Sequence, residues 1–458
     1  MGSDRLSALD ASFLAVEGRV TPMHVGWVAV FDPPDGEPRP SFEELFEHIA
    51  ARMGRAPRFR QRLAGVPLGV HDPVWVDDAE FDARAHLLAA DGDDLSGLVD
   101  AVLSSPLRRD RPPWEISIAT NLPHDRVALV GKMHHCMVDG TAVVQLGNLL
   151  LDARPEGWRG TRPVRAWSPA AVPTAGERLV QAMVERAGDV AALALAPVRV
   201  AGSPRRLRRL PGALGRGARM CADTLLPPAP ASSLNRPGSP GRHHVRITRS
   251  LDEIRAIRRR FRVTPNDVVL AACAGGLRRF MQRRGEPPPR LKAMVPADVR
   301  SSQDATATGN RISFVFIALP CDESDPVERL RAVNRATASR KDDRTAEALD
   351  AAFRELARTP PPLQRALAHA FAHPRLFNLT ISSVPGPAVP RYLRGCRLRE
   401  VHSAVPLAGR HALSIGVVMV AGNACLGITA DTSTLPDADA LAGDLDAAFD
   451  ELLTTRSR

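Results

Sequence analysis

The segment from Val127 to Thr141, VALVGKMHHCMVDGT, holds the pattern that decides the fold and points to one site. Its apolar run ends in two adjacent histidines, His134 and His135, and Asp139 and Gly140 follow closely. The apolar run predicts a buried strand, and the residues after the glycine, TAVVQLGNLLLDA, predict a helix. Side chains that carry chemistry are often displayed where a strand ends in such a turn.

The two histidines allow two interpretations. Neighbouring residues of a strand point to opposite faces, so His134 and His135 are not arranged like two ligands of one metal, and we expect no metal. In the simpler interpretation both are core histidines with satisfied hydrogen bonds. In the functional interpretation, His135 is a general base that faces a cleft, and His134 supports it. A neutral imidazole with a pKa of ~6.5 can accept a hydroxyl proton.

Asp139 also allows two interpretations, because it stands just before a glycine turn and a helix. An aspartate at this place caps free N–H groups of the first helical turn. Alternatively, Asp139 shapes the loop and fixes the histidine ring through a buried ion pair with an arginine.

Outward from this segment, strand-like and helix-like stretches alternate in both halves of the chain. MHVGWVAVF predicts a strand, and SFEELFEHIAARM predicts a helix with a capping box between Ser41 and Glu44. In the second half, Thr264 and Pro265 predict a helix start, and HALSIGVVMVAGNACLGITAD predicts a hairpin that turns near Gly422 and Asn423. The fold class is therefore α/β, with two lobes of similar design.

The domain organisation follows from a change in composition. Residues 1–151 form the predicted N-terminal lobe, and residues 243–458 form the C-terminal lobe. Residues 152–242 between them are rich in Pro, Gly and Arg and contain one helix-like segment. We interpret this middle part as a long linker.

The amino-acid composition of the chain limits which classes of function are expected. The chain has 458 residues, of which 44% are hydrophobic, and a formal net charge of +10, which attracts anions. Aromatic residues make up only 4%, so the stacking platforms of single-stranded nucleic acid binders are not expected. The six cysteines are scattered and the N-terminus has no apolar signal region, which favours a reducing, cytoplasmic setting.

Beyond these arguments, HHCMVDG matches the H-H-x-x-x-D-G motif of the coenzyme A-dependent acyltransferase superfamily. Six further blocks resemble the bacterial wax ester synthase/diacylglycerol acyltransferase family and occur in its order. They are LSALDASFLAVEGRVTPMHVG, PLRRDRPPWE, NDVVLAACAGGLRRFM, MVPADVR, GNRISFVFIALP and NLTISSVPGP. Together the blocks cover nearly the whole chain.

The resemblance implies two chloramphenicol-acetyltransferase-like lobes, each a mixed sheet with helices, and an active-site cleft or tunnel between them. It implies an O-acyltransferase that moves a long acyl chain from acyl-CoA, a co-substrate, to diacylglycerol or a fatty alcohol, with no permanently bound cofactor. His135 would accept the hydroxyl proton, with His134, Asp139 and Gly140 completing the motif. Two alternatives stay open: another acceptor, such as an amine or a polyketide hydroxyl, and a non-catalytic protein of lipid surfaces.

Three supporting residues come from the same resemblance. RFRQRL is similar to an arginine-containing segment of condensation domains, so we expect Arg60 to pair with Asp139, with Arg62 as second choice. Both arginines could instead be surface charges. Asn266 and Asp267 match the family's N-D pair and act either as helix caps or in catalysis.

The linker contains seven arginines and no acid between residues 199 and 219. This basic segment has three interpretations: a solvated connection, a site for the phosphates of coenzyme A, or a contact with anionic lipid. The third interpretation, a contact with anionic lipid, predicts that the protein attaches peripherally to the inner membrane face or to lipid inclusions.

Overall fold

The computed structural model describes residues 5–137, 142–157, 167–201, 215, 226–298, 312–342, 359–387 and 389–456. The strands are β1 (His24–Asp32), β2 (Gln61–Ala64), β3 (Val74–Asp77), β4 (Leu87–Ala90), β5 (Trp114–Leu122), β6 (Arg126–His134), β7 (Arg242–Ser250), β8 (Leu291–Asp298), β9 (Ile312–Leu319), β10 (Leu379–Pro385), β11 (Tyr392–Leu393), β12 (Cys396–Ala404), β13 (Leu413–Val420) and β14 (Asn423–Asp431). The helices are α1 (Ala8–Val16), α2 (Phe42–Met53), α3 (Leu95–Ser104), α4 (Ala142–Leu150), α5 (Ala175–Ala201), α6 (Leu251–Phe261), α7 (Pro265–Arg283), α8 (Pro326–Asp342), α9 (Pro361–Phe371) and α10 (Ala438–Thr454).

The strands form two mixed six-stranded sheets, which confirms the predicted fold class. The first sheet has the order β11-β12-β1-β6-β5-β4, and only its β4–β5 pairing is parallel. The second sheet has the order β7-β14-β13-β10-β8-β9, with β10 parallel to both of its neighbours. Strands β2 and β3 form a separate pair.

One segment of the C-terminal sequence lies in the first sheet. Strand β12 pairs antiparallel with β1 over Gly26–Asp32. On its other side, β1 pairs with β6, the strand that ends at His134. The chain then returns to the second sheet through β13. The sequence after residue 243 therefore supplies strands to both sheets.

Both faces of the first sheet are covered, which explains the continuous apolar run of β6. On one face, Trp27, Phe31 and Leu129 pack with Leu45 of α2 and Leu146 of α4. The other face packs Val28 and Val130 against Val99 and Leu103 of α3. In the second lobe the core surrounds α7, which is buried along most of its length.

Local signals in the sequence place several elements. Ser41 and Glu44 form the predicted capping box at the start of α2, and Thr264 and Asp267 form another at α7. Strands β13 and β14 form the predicted hairpin, and its two turn residues are Ala421 and Gly422, both with positive φ. The turn therefore lies one residue earlier than the sequence predicts.

The longest described helix, α5, lies in the predicted linker. Among the described helices, none combines the length and the apolar character needed to cross a bilayer. The basic segment 199–219 falls almost entirely outside the described residues.

Candidate active site

The site is built where β6 ends. His134 is the last residue of the strand, and His135–Met137 form a single 3-10 turn. Along β6, Leu129 and Met133 belong to the apolar cluster on the α4 face, while Val130 packs on the α3 face. By this alternation His134 continues the α3 face, and His135 stands between two methionines, Met133 and Met137, that pack on the α4 face.

The His134 ring is buried and its hydrogen bonds define its protonation. Only 2% of its surface is exposed, and the Cys136 backbone N–H donates to its Nδ1 over 3.1 Å. Nδ1 is therefore an acceptor, and the proton of the neutral ring is on Nε2. Burial, and then the nearby Arg109 guanidinium, lowers the pKa of His134 to about 3. The ring stays neutral near pH 7 and supports the turn.

The His135 ring is half-buried and lies flat on an aromatic ring. Its backbone N–H donates to the Met23 carbonyl over 2.8 Å, which ties the turn to the residue before β1. Its imidazole stacks on Phe13 of α1, with ring centroids 3.7 Å apart and planes inclined by 17°. Because the ring is both held and partly accessible, it meets the geometric needs of a general base better than His134 does.

Glu17 and Arg109 lie next to the buried His134 ring. The Glu17 carboxylate contacts the Arg109 guanidinium as an ion pair, and its Oε2 is 3.6 Å from His134 Nε2. Glu17 directly follows the last residue of α1. Cys136 also lies in this region, and burial raises the pKa of its thiol far above the ordinary value, so it is not a thiolate nucleophile.

An apolar pocket opens on the α4 face of the first sheet, between that sheet, α4 and the loop after β10. The empty space along its walls, with the open solvent at its mouth included, is about 670 Å³. Its walls are mainly hydrocarbon, and the lining residues are Trp27, Ala29, Phe31, Leu129, Leu146, Gly147, Asn148, Leu150, Leu151, Val384, Pro385, Gly386, Pro387, Arg391, Leu398, Val401 and Val418. Residues of both lobes therefore form one pocket on the sheet face that also carries Met133.

The predicted partners of the motif are placed as follows. Asp139 and Gly140 lie outside the described residues, so the predicted ion pair between Arg60 and Asp139 stays a prediction. The Arg60 guanidinium lies 4.5 Å from the centroid of the Trp167 ring, a cation–π contact, and burial lowers its pKa. The second choice, Arg62, lies 3.9 Å from Asp78.

The N-D pair begins α7, away from the histidine turn in sequence. Asp267 is fully buried and accepts hydrogen bonds from the Thr264 backbone N–H and from the side chains of Asn334 and Thr337 on α8. These bonds make Asp267 a cap that joins two helices. Asn266 is half-buried beside it in the first turn.

The PLRRDRPPWE block contributes to packing around the site. Trp114 is buried, donates to the Phe59 carbonyl over 2.8 Å and stacks on His86. Glu115 forms an ion pair of 3.2 Å with Lys132 of the neighbouring strand.

Sequence reasoning missed Phe13, Glu17 and Arg109 as neighbours of the histidines. Phe13 and Glu17 are four residues apart, one turn of a helix, but nothing local connects them with residues about 120 positions later. The contact exists only because α1 packs on the 3-10 turn.

Comparisons with known proteins identify the family. The model of the wax ester synthase/diacylglycerol acyltransferase catalytic domain matches residues 6–269, and the model of the C-terminal domain of the same family matches residues 308–453. The chain belongs to the wax ester synthase/diacylglycerol acyltransferase family. It is accordingly an acyltransferase, as the resemblance implied.

A relative and one solved structure agree with this assignment, and a second solved structure shares the fold alone. A Mycobacterium tuberculosis H37Rv protein named probable diacylglycerol O-acyltransferase tgs2 is 31% identical over 465 residues, covering 98% of each chain. The wax ester synthase/diacylglycerol acyltransferase of Marinobacter aquaeolei VT8 superposes with a TM-score of 0.70 and 25% identity, covering 98% of each chain. The first condensation domain of the CDA synthetase shares the fold, with a TM-score of 0.61 and 14% identity, covering 99% of this chain and 97% of the other.

Proposed function

We propose that this member of the family transfers a long acyl chain from acyl-CoA to the hydroxyl of diacylglycerol, or to that of a fatty alcohol, with His135 as the general base. The observation that carries the proposal is the position of His135: a half-buried imidazole directly after β6, a strand of the sheet whose α4 face lines an apolar pocket. The relatives named diacylglycerol O-acyltransferases favour diacylglycerol as the main acceptor.

The chemistry requires one proton acceptor and no covalent enzyme intermediate. His135 takes the hydroxyl proton while the oxygen attacks the thioester carbonyl, and a tetrahedral oxyanion forms. The carbon–sulfur bond then breaks, the ester leaves, and the imidazolium returns its proton to the thiolate of coenzyme A. Orientation of both substrates in the cleft supplies much of the rate.

The apolar pocket is suited to a hydrocarbon chain. Its walls offer almost only aliphatic and aromatic surface. Its side chains come from both lobes, for example Leu146 from the first lobe and Val418 from the second. Each buried CH₂ contributes about 0.8 kcal/mol, so long chains are favoured strongly over short ones. Leu146→Phe narrows the pocket and should reduce the preference for palmitoyl-CoA over octanoyl-CoA. An unchanged ratio of the two kcat/KM values would remove the pocket from chain binding.

The central test measures thiol release from palmitoyl-CoA with diolein, with hexadecanol and without acceptor. We expect release that depends on an acceptor, and a loss of about 10²–10⁴-fold in kcat for His135→Ala. His369→Ala is the matched control, because His369 is exposed on α9.

Each outcome separates the candidates. Acceptor-dependent release that is lost in His135→Ala supports the proposal. Full activity of a folded His135→Ala protein removes this histidine from the mechanism. Absence of release with both lipid acceptors, but release with an amine, favours a different acceptor, and no release with any acceptor favours a non-catalytic protein.

We also propose peripheral attachment of the protein to an anionic lipid surface through α5. Five large apolar side chains of this helix are exposed, with exposures between 47% and 67%, and helical spacing places them on one face. They are Val180, Met183, Val184, Val190 and Leu195. In the sequence, the acid-free, arginine-rich segment 199–219 begins at the end of α5, and an apolar helix together with positive charge is the combination that favours anionic headgroups.

Flotation with vesicles tests this attachment. Wild-type protein should float with phosphatidylglycerol-containing vesicles at low salt, less at high salt, and poorly with phosphatidylcholine alone. Val184→Glu/Val190→Glu should abolish flotation, while Val20→Glu/Val389→Glu, which also alters two exposed valines, should not. Equal flotation of both double variants, or none of the wild type, contradicts the proposal.

A further inference from the structure

The N-terminal helix α1 lies directly on the turn that displays the histidines. Ser7 caps the helix by accepting from the Asp10 backbone N–H over 3.1 Å, which explains why it begins there. Its Ala11 and Leu14 pack in one apolar cluster with Cys136 of the turn. This packing brings Phe13 of α1, and Glu17 directly after the helix, next to the two imidazoles.

Phe13 contacts the face of the His135 ring. Its centroid is 3.7 Å from that of the imidazole, and the two planes are nearly parallel. The ring nitrogens of an imidazole lie at its edge, so a face contact fixes the plane of the ring and leaves both nitrogens directed away from Phe13. The stack therefore restricts rotation of His135 without covering the atoms that would move a proton.

Glu17 directly follows the last residue of α1 and lies beside the other histidine. The His134 proton is on Nε2, because Nδ1 accepts from the Cys136 backbone N–H, and Nε2 lies 3.6 Å from Glu17 Oε2, beyond hydrogen-bonding distance. Glu17 in turn contacts the Arg109 guanidinium. His134 is thus held at Nδ1 by the backbone of the turn, while Nε2 and the Glu17 carboxylate are buried neighbours that no hydrogen bond joins.

The two contacts act on one short piece of chain. The Cys136 N–H that binds His134 belongs to the residue after His135, so the orientation of the His134 ring and the shape of the turn are linked. Glu17 directly follows the last residue of α1, four positions after Phe13, so the end of this helix places both side chains beside neighbouring rings. A rigid helix thereby fixes side chains on both sides of a strand end.

We propose that Phe13 and Glu17 are positioning residues for the double histidine, Phe13 by orienting His135 and Glu17 by orienting His134 and the turn. The inference rests on the proposed role of His135 as general base. It assigns to α1 the task of holding the base in the geometry that proton transfer requires.

The Phe13 arm of the test compares a variant that keeps the stack with one that loses it. Phe13→Tyr keeps an aromatic face and should retain kcat within about threefold, whereas Phe13→Leu should lower kcat about 10–100-fold with KM for palmitoyl-CoA little changed. Phe46→Leu is the matched control, since Phe46 is also half-buried but lies on α2, in a tilted contact with Phe42 at 6.1 Å between ring centroids.

Nuclear magnetic resonance of the full chain gives a readout that does not depend on activity. A ring stacked at this distance shifts the His135 Hε1 signal upfield, and the signal is assigned with the His135→Gln variant in a sample with ¹³Cε1-labelled histidine. The upfield shift should persist in Phe13→Tyr and disappear in Phe13→Leu. Persistence of the shift in Phe13→Leu, or loss of it without loss of kcat, overturns the role of Phe13.

The Glu17 arm uses substitutions that keep the fold. Glu17→Asp keeps the negative charge beside Arg109 but withdraws the carboxylate by one CH₂, and should lower kcat about 10–100-fold and shift the His134 Nε2 resonance in ¹⁵N-histidine spectra. Glu17→Gln keeps an acceptor at full length and should be less impaired. Glu47→Asp, at an exposed site on α2, is the control.

The failure of this inference differs from that of the proposed function. Wild-type kcat together with an unchanged His134 resonance in Glu17→Asp overturns the role of Glu17, whatever His135→Ala does. If His135→Ala is fully active while the resonances move as expected, the contacts orient the rings but His135 is not the base, and the positioning role in catalysis falls with it.

Discussion

At the scale of single residues, Asp267 shows how a motif residue can serve the fold. Its carboxylate accepts from three donors on two helices: the Thr264 backbone N–H at 2.8 Å, the Asn334 amide at 2.9 Å and the Thr337 hydroxyl at 2.6 Å. An amide at this place has only one acceptor oxygen and would direct its own N–H groups at a donor. A buried cap of this kind stabilises the protein by joining two helices.

Asp267→Asn should therefore lower the free energy of unfolding by about 1–3 kcal/mol and leave kcat of the folded protein nearly unchanged. Urea unfolding and initial rates measure the two quantities. Asp94→Asn is the control, because Asp94 caps α3 by one bond to Gly97 N–H, which asparagine makes as well. A large fall in kcat at unchanged stability would instead place Asp267 in catalysis.

At the scale of elements, a pair of glycines lets the two sheets approach each other. Gly416 of β13 and Gly427 of β14 are directly paired, and strand β12 of the first sheet lies over them. A Cβ on Gly427 would be 2.4 Å from the Ser403 carbonyl oxygen and 2.7 Å from His244 Cε1. The absence of side chains on the hairpin is what allows β12 to lie so close.

Gly427→Ala should lower the free energy of unfolding by about 1–3 kcal/mol, since a backbone carbonyl cannot move aside as a flexible side chain does. Gly443→Ala is the control, because Gly443 lies in α10 with no atom within 4 Å of the added Cβ. There alanine should stabilise by about 0.5–1 kcal/mol. If denaturant unfolding showed that Gly427→Ala and Gly443→Ala change the free energy of unfolding with the same sign and size, the close approach of β12 to Gly427 would be contradicted.

Elements with local signals could be predicted from the sequence, and contacts between distant segments could not. The capping boxes at Ser41 and Thr264 depend on residues three positions apart, so the sequence displays them. The pairing of β12 with β1 joins segments about 370 residues apart, and many apolar strands would fit that edge equally well. The contacts of Phe13 and Glu17 with the histidines depend on such tertiary packing and were missed for the same reason.

At the scale of the whole molecule, one histidine connects the two lobes. His243 of β7 lies between two carboxylates: its Nδ1 is 2.6 Å from Asp100 of α3, and its Nε2 is 3.1 Å from Asp439 of α10. Burial alone would lower its pKa, but hydrogen bonds and charge from Asp100, and then Asp439, outweigh burial and raise the pKa. The neighbouring Arg246 also lies near Asp100.

Because the pKa of His243 is raised in the folded protein, its protonated ring stabilises the fold below pH ~6.5, and this contribution disappears as the pH rises through the raised pKa. The difference in free energy of unfolding between wild type and His243→Gln should therefore be larger at pH 5.5 than at pH 8.5. Urea unfolding at both pH values measures it, with His369→Gln as the exposed control. Equal differences at both pH values would refute the pH-dependent link.

The return of residues 392–404 to the first sheet has a consequence for synthesis. Until the ribosome has delivered those residues, β1 has a partner on one side only, and its other edge exposes a row of free N–H and C=O groups. A nascent chain, or a truncated chain that ends before residue 392, is therefore prone to pair through this edge with strands of other molecules. Splitting the gene at residue 151 should yield an aggregating N-terminal fragment, and co-expression of the remainder should rescue its solubility.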